Sequence, residues 1–220
     1  MDGDGEWPLD ASGGKIRGFI CRAFTESIQA QLGDELVAEK VRAVARSSGS
    51  WQVDPGATGL NFLHSRWYPA PLVNALIDAA VDGLPRPRQL EIAGRAGRAT
   101  FRRQITGLQR ALFALFLTPE RLAKHGVKAW RHNYGSGDVS FEAFEGSTIS
   151  TYRNWTEHHP LTCRAMMMGR IELYRAMKLP DVRVKVLTCD PRRGCRSRVW
   201  WGPRGDDEPA MFDGHADDPV

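Results

Sequence analysis

The chain has 220 residues, of which 42% are hydrophobic and 25% charged, as in a globular protein that is long enough to bury a sizeable core. No apolar run approaches the roughly 20 residues of a membrane-spanning helix, and the acidic start lacks the features of a signal peptide, so we expect a cytoplasmic protein. The formal net charge of +4 conceals a basic body, because residues 15–203 hold 29 basic and 16 acidic side chains. Such a body is compatible with an anionic ligand or with nucleic acid.

The two ends of the chain differ in composition from this body. Residues 1–14 and 204–220 are acidic and rich in Gly, Pro and Asp, so we expect two disordered tails around a single domain at 15–203.

The N-terminal half of that domain has helical periodicity. Apolar residues recur at three- and four-residue steps from Ile16 to Ile28, and a second helix is expected after Gly33. A loop rich in Ser, Gly and Pro follows, and then Pro71 opens a helix that is apolar on one side. Two further helices are predicted over 88–103 and 105–116, and a short helix capped by Thr118 is expected to end near residue 124.

The periodicity changes at residue 125. The segment 127–155 is rich in β-branched and aromatic residues, and Val139 and Phe141 alternate with polar neighbours, which predicts two or three antiparallel strands. Pro160 opens a long helix, and the chain ends in a hairpin with Val182, Val184 and Val186 on one face. The predicted fold class is α+β, with N-terminal helices packed on a small antiparallel sheet and a long helix before a C-terminal β-hairpin.

The cysteines of the C-terminal half raise three possibilities, which are a metal site, a disulfide and free thiols. Cys189 and Cys195 flank a five-residue turn and can meet across the hairpin, while Cys163 lies at the start of a helix, where the helix dipole favours a thiolate. Three thiolates suit zinc, but a closed structural site needs a fourth ligand. By proximity in sequence, the candidates are Asp190, His158 and His159. A Cys189–Cys195 disulfide, which a reducing cytosol disfavours, and three free thiols are the alternatives.

A second candidate site is aromatic. Aromatic residues are frequent between 130 and 155, and they predict either a ligand pocket or simple filling between the helices and the sheet. The candidate ligand-binding residues are Trp130, Tyr134, Phe141, Tyr152 and Trp155. No catalytic motif accompanies them: the GSGD turn lacks the lysine and spacing of a phosphate-binding loop, and no metalloprotease or nucleophile motif is found. We therefore expect a protein that is not an enzyme.

The C-terminal half resembles a known group of domains. A Pro160-x-x-Cys163 helix start, Gly169 within that helix, and a hairpin with Cys189 and Cys195 around a short turn are together similar to the 4-vinyl-reductase domain. That domain belongs to a ligand-binding superfamily with haem-nitric-oxide sensors and transport subunits of the TRAPP type. The Trp67-Tyr68-Pro69 and Trp130…Tyr134-Gly135 segments look most similar to a myxobacterial lineage of this group.

The resemblance implies a sensory or scaffolding domain, often a homodimer, with a pocket between helices and sheet. In aromatic-sensing regulators of the superfamily, cysteines at positions that match Cys163, Cys189 and Cys195 bind zinc beside an aromatic-lined pocket. The haem branch carries a Tyr-x-Ser-x-Arg motif for the propionates, and the nearest segment here is YRNWTEH, so haem is not expected. We accordingly expect a cytoplasmic sensory or regulatory domain for a small hydrophobic or aromatic ligand. The alternatives are a dimeric protein-interaction scaffold without a ligand and a basic nucleic-acid-binding regulator.

Overall fold

A computed structural model describes residues 14–33, 35, 39, 40, 43, 44, 62–105, 107–155, 158–190 and 194–203. The acidic tails and most of the helix expected after Gly33 lie outside these residues. Within them, none of the helices is long and apolar enough to span a membrane.

Six helices and six strands make up the described part of the chain. The helices are α1 (Gly18–Leu32), α2 (Ala70–Val81), α3 (Arg86–Gln104), α4 (Gly107–Phe116), α5 (Pro119–Asn133) and α6 (Pro160–Ala176). The strands are β1 (Lys15–Arg17), β2 (Trp67–Pro69), β3 (Asp138–Phe144), β4 (Ser147–Arg153), β5 (Arg183–Asp190) and β6 (Gly194–Trp200). The predicted α+β class is confirmed.

The strands form two antiparallel sheets. A short sheet pairs β1 with β2, and the main sheet has the order β3-β4-β6-β5. Buried and more exposed residues alternate along the first half of β3, as the sequence pattern predicted. The long helix α6 packs on the main sheet, and the helices α1, α2 and α3 form a second hydrophobic core beside it.

The predicted end of helix α5 is wrong, because the helix capped by Thr118 does not end near residue 124. It continues to Asn133, so the first quarter of the predicted strand region is helical. Gly126 lies inside this helix, and a Cβ there would overlap the ring of Phe141. Its missing side chain lets the ring of β3 lie against the helix, which compensates for the low helix propensity of glycine.

Helices α3 and α6 are in backbone contact. A Cβ at Gly97 would overlap the carbonyl oxygen of Ala165, and a Cβ at Gly169 would overlap the ring of Phe101. Small residues at these positions therefore set the distance between the two helices and hold α6 against both cores.

Candidate functional site

Four side chains converge where α6 begins beside the β5–β6 hairpin. The ligand atoms of His158, Cys163, Cys189 and Cys195 all lie within 4.8 Å of one another. His158 Nε2 is 3.0 Å from Cys189 Sγ and 2.8 Å from Cys195 Sγ. Cys163 Sγ lies 3.4 Å and 3.0 Å from the same two sulfur atoms. We call these four residues the Cys3His cluster.

Each member of this cluster is placed by a separate element. Cys163 is in the first turn of α6, and His158 stands just before that helix. Cys189 and Cys195 are directly opposite each other in the β5–β6 register, where side chains lie on the same face of a hairpin. Of the three candidates for a fourth ligand, the fold brings His158 into the cluster, while His159 turns to Asp78 with its Nε2 3.0 Å from a carboxylate oxygen.

The protonation of the cluster follows from its burial. Burial lowers the pKa of His158, and the neighbouring His159 acts in the same direction. The imidazole is therefore held in its neutral form, in which histidine binds metals. Burial also raises the pKa of the Cys163 thiol to about 12, so that without a metal this cysteine carries its proton.

The thiols of the hairpin have two chemical states within this geometry. The sulfur atoms of Cys189 and Cys195 are in bonding contact as a disulfide, and Cys163 is free. When Cys163, Cys189 and Cys195 are all reduced, they offer three sulfur ligands, and His158 adds one nitrogen. Tetrahedral ligands at about 2.3 Å from zinc are roughly 3.8 Å apart, a separation within reach of these four atoms.

A cavity of about 170 Å³ lies next to the cluster, between the helices and the main sheet. It is lined mainly by apolar and aromatic side chains from α1, α2, α3, α5, α6, β3 and β4, and we call it the aromatic cavity. Two elements link it to the Cys3His cluster. Met166 lines it from α6 one turn after Cys163, and Tyr152 lines it from β4 directly opposite Cys195.

Four of the five candidate ligand-binding residues line this cavity: Trp130, Tyr134, Phe141 and Tyr152. Trp155 is not among its lining residues but packs edge-on against Trp130, with ring centroids 5.3 Å apart. Trp155 also contacts His158 of the cluster at 5.7 Å, so it supports the aromatic wall and the cluster together.

The polar groups of the aromatic cavity were missed by the sequence reasoning. Arg170 lines it from α6 and is only 4% exposed. Asn133 lines it from the end of α5, and its Oδ1 is buried without a hydrogen-bond partner among the described residues. A signal for Arg170 existed, since it lies four residues after Met166 and four before Tyr174, on the face of α6 that carries the other buried residues.

A second cavity of about 820 Å³ adjoins the first along α5. Three exposed histidines, His64, His125 and His132, are among its lining residues, and we call it the histidine-lined cavity. Its wall also contains Glu26, which is ion-paired with both Arg22 and Arg103.

Several arginines of the basic helices are paired with carboxylates of the same chain. Arg95 pairs with Glu91, while Arg98 and Arg102 both pair with Glu172. Arginines held by carboxylates present less charge to phosphates, so these pairs do not favour the nucleic-acid alternative.

Comparison with known proteins shows the fold. No family model and no curated protein matches the chain. A variant of the Cs H-NOX protein that carries 4-cyano-phenylalanine aligns with a TM-score of 0.62 and 8% identity, over 86% of this chain and 97% of that chain. A variant of the T. tengcongensis H-NOX aligns with a TM-score of 0.60 and 9% identity, over 86% and 98%.

An oxygen-binding H-NOX domain related to soluble guanylate cyclases gives a TM-score of 0.57 at 10% identity, over 89% of this chain and 100% of that chain. The predicted superfamily included haem-nitric-oxide sensors, and that part is confirmed at the level of the fold. The similarity to 4-vinyl-reductase domains and to a myxobacterial lineage stays a prediction. The chain has the fold of an H-NOX domain.

Proposed function

We propose that this chain is a cytoplasmic sensory domain, not an enzyme, which binds a small aromatic or apolar ligand in the aromatic cavity. The observation that carries the proposal is the position of that cavity, which shares α6 with the Cys3His cluster and is lined by Tyr152 directly opposite Cys195. Its volume of about 170 Å³ is comparable to the ~150 Å³ apolar cavity that accommodates benzene in another protein. The solved neighbours with an H-NOX fold support a sensory role.

The cluster and the cavity are coupled through one rigid element. Cys163 is fixed at the start of α6, and Met166, Arg170 and Leu173 line the cavity further along the same helix. A ligand that displaces α6 therefore also moves Cys163 relative to the hairpin cysteines. Ligand occupancy would in this way shift the domain between two arrangements with different outer surfaces.

Zinc is the metal that fits the Cys3His cluster, because three thiolates and one imidazole form a closed tetrahedral set. When bound, zinc would hold the start of α6 to the β5–β6 hairpin and so fix one end of the cavity wall. His158, Cys163, Cys189 and Cys195 would hold it.

Native mass spectrometry of protein purified under reducing conditions tests the zinc site. We expect a single bound zinc, which is lost in Cys163→Ser. The matched control is Cys21→Ser, which removes a buried free cysteine of the N-terminal core and leaves the metal in place. Metal-free reduced protein, or equal zinc in both variants, would refute the site.

Haem is the group that the fold suggests, since neighbours include structures from work on haem distortion and haem redox potential. The comparisons thus give no support to the expectation that haem is absent. The aromatic cavity does not fit haem, because its 170 Å³ is below the ~300–1,000 Å³ of drug-sized pockets and no histidine is among its described lining residues. The histidine-lined cavity is large enough by this measure, but its three histidines are exposed and its wall contains the ion pairs of Glu26 with Arg22 and Arg103.

These observations, with the missing Tyr-x-Ser-x-Arg motif, support a domain that works without haem. Absorbance spectroscopy after hemin addition tests this view. A Soret band that survives gel filtration in the wild type and is lost in His125→Ala would contradict it.

Thermal-shift screening against aromatic and aliphatic compounds tests ligand binding. A compound at 100 times its dissociation constant stabilises the fold by about 2.7 kcal/mol, which for a domain of this size corresponds to a rise in Tm of roughly 5–10 °C. Gly126→Ala should abolish the rise, because the new Cβ would drive the ring of Phe141 out of its place in the cavity wall. No active compound, or full binding by Gly126→Ala, would argue against the aromatic cavity as the site.

We also propose that the domain is a homodimer, because one apolar face of α4 is exposed in the part of the chain that the structure describes. Leu108 and Leu115 are 76% and 71% exposed, and no residue of α4 is buried. Exposed apolar stripes of this kind mark interaction surfaces. Sedimentation should show a dimer that Leu108→Asp with Leu115→Asp converts to a monomer, while Leu63→Asp, an exposed leucine elsewhere, has no effect. A monomeric wild type would refute the dimer and with it the scaffold alternative.

A further inference from the structure

The aromatic cavity contains a buried positive charge. The guanidinium of Arg170 lies at the inner face of α6, where Nη1 donates to Ser197 Oγ at 2.9 Å and Nη2 donates to the Tyr174 hydroxyl at 3.4 Å. The Tyr152 hydroxyl is a third hydrogen-bonding neighbour of the guanidinium, and all three groups are neutral hydroxyls. A guanidinium has five N–H donors and is always protonated in proteins, so these contacts leave part of its hydrogen-bonding capacity unused.

No carboxylate neutralises this charge within the described part of the chain. None of the ion pairs formed by the described residues includes Arg170, in contrast to Glu172 two residues later, which is paired with three arginines. Tyr152 also faces the guanidinium, but burial raises the pKa of its hydroxyl, which therefore stays protonated. A buried charge without an ionic partner carries a large desolvation cost.

The position of Arg170 relative to the cavity points to the missing partner. Arg170, Phe141 and Tyr152 all line the cavity, and the guanidinium carbon is 5.8 Å from the centre of the Phe141 ring. Most of the remaining wall is apolar. A molecule with one aromatic ring and one anionic group would satisfy both the apolar wall and the guanidinium.

We propose that the ligand of this cavity is a small aromatic carboxylate whose carboxylate group pairs with Arg170. The carboxylate matches the guanidinium because it accepts two parallel N–H bonds. The ring occupies the space between Trp130 and Phe141, and the cavity of about 170 Å³ has room for a single ring with its acid group. This inference rests on the proposed ligand-binding function and specifies the chemical class of the ligand.

The competing explanation is that Arg170 only ties α6 to β6 through Ser197. A purely structural arginine would matter for stability and not for the choice between charged and neutral ligands. Ligand selectivity therefore separates the two explanations, whereas loss of stability does not.

Calorimetric titration of the full chain with benzoate and with its neutral isostere benzamide tests the proposal. We expect benzoate to bind at least about tenfold more tightly than benzamide at pH 7.5, a preference typical of a charge-assisted pair. Arg170→Met should remove that preference while benzamide still binds. Arg175→Met is the matched control, because it removes an exposed arginine of the same helix and should leave the preference unchanged.

Each result has a distinct meaning. Equal binding of both compounds to the wild type overturns the carboxylate inference and leaves the apolar ligand site intact. Absence of binding by either compound and by every compound of the thermal-shift screen overturns both proposals. If circular dichroism shows that Arg170→Met does not fold, the wild-type comparison of benzoate with benzamide alone decides.

Discussion

Glu172 holds α6 to α3, and its replacement by glutamine tests the largest ion-paired group in the described structure. Its carboxylate is 6% exposed and accepts bonds from Arg98 Nε at 2.7 Å and from Arg102 Nε and Nη2 at 2.8 and 2.9 Å. A hydrogen bond to a charged group contributes about 1.5–3 kcal/mol. Arg102 is half exposed and can be resolvated, and glutamine keeps one acceptor, so we expect a loss of about 2–4 kcal/mol in the free energy of unfolding.

The pH dependence of this loss follows from the pKa of Glu172. Burial acts against its charged form, but the bonds from Arg102 and Arg98 outweigh burial and lower the pKa. A carboxyl group with a lowered pKa contributes stability that is complete above the unfolded pKa of about 4.3 and is lost as the pH falls through the lower folded value. The difference between wild type and Glu172→Gln should therefore shrink below about pH 4.3, where the Glu172 carboxyl of the unfolded chain begins to take up a proton.

Urea denaturation at neutral and acidic pH measures both effects. Glu91→Gln is the control, because Glu91 pairs with Arg88 and Arg95 on its own helix, where each local pair contributes only about 0.3–0.5 kcal/mol. The reasoning is wrong if Glu172→Gln costs no more than Glu91→Gln, or if its cost is the same at neutral pH and at about pH 3.

Three further predictions concern the helix contact, the aromatic wall and the hairpin thiols. Gly97→Ala should destabilise the fold by about 1–3 kcal/mol in urea denaturation, since the new Cβ overlaps the carbonyl oxygen of Ala165; an unchanged midpoint would contradict the backbone contact. Trp130→Phe removes an indole N–H that donates to two carbonyl oxygens at 3.1 and 3.2 Å, and it should cost about 1 kcal/mol in the same assay. Oxidation to a Cys189–Cys195 disulfide should release zinc to a chromogenic chelator, and reduction should restore zinc binding. Zinc retained by the oxidised protein would contradict this prediction.

The sequence predicted the elements with strong periodicity and the aromatic wall. Alternation at Val139 and Phe141 identified β3, and the cluster of aromatic residues from 130 to 152 does line a cavity. Both depend on local patterns that are visible in a short window. The extension of α5 to Asn133 was not predictable in this way, because it depends on Gly126 fitting against a ring that comes fifteen residues later.

The sequence alone could not identify the fourth metal ligand or predict that Arg170 lines the cavity. His158 and His159 are adjacent and chemically identical, and only the backbone before α6 directs one to the cysteines and the other to Asp78. Arg170 was not singled out, although its spacing from Met166 and Tyr174 places it on the buried face of α6, because its contact with the cavity depends on how α6 packs against β6. Such assignments require the tertiary arrangement.

The backbone contact at Gly97 limits how this cavity can be altered. Gly97 lines the aromatic cavity while it touches the carbonyl of Ala165, so part of the wall is main chain and has no side chain to shorten. Variants that admit larger ligands must therefore come from the opposite wall, where Phe141 and Leu122 can be trimmed. A library directed at these two positions would widen the range of ligands that bind, whereas substitutions at the α3–α6 contact would mainly cost stability.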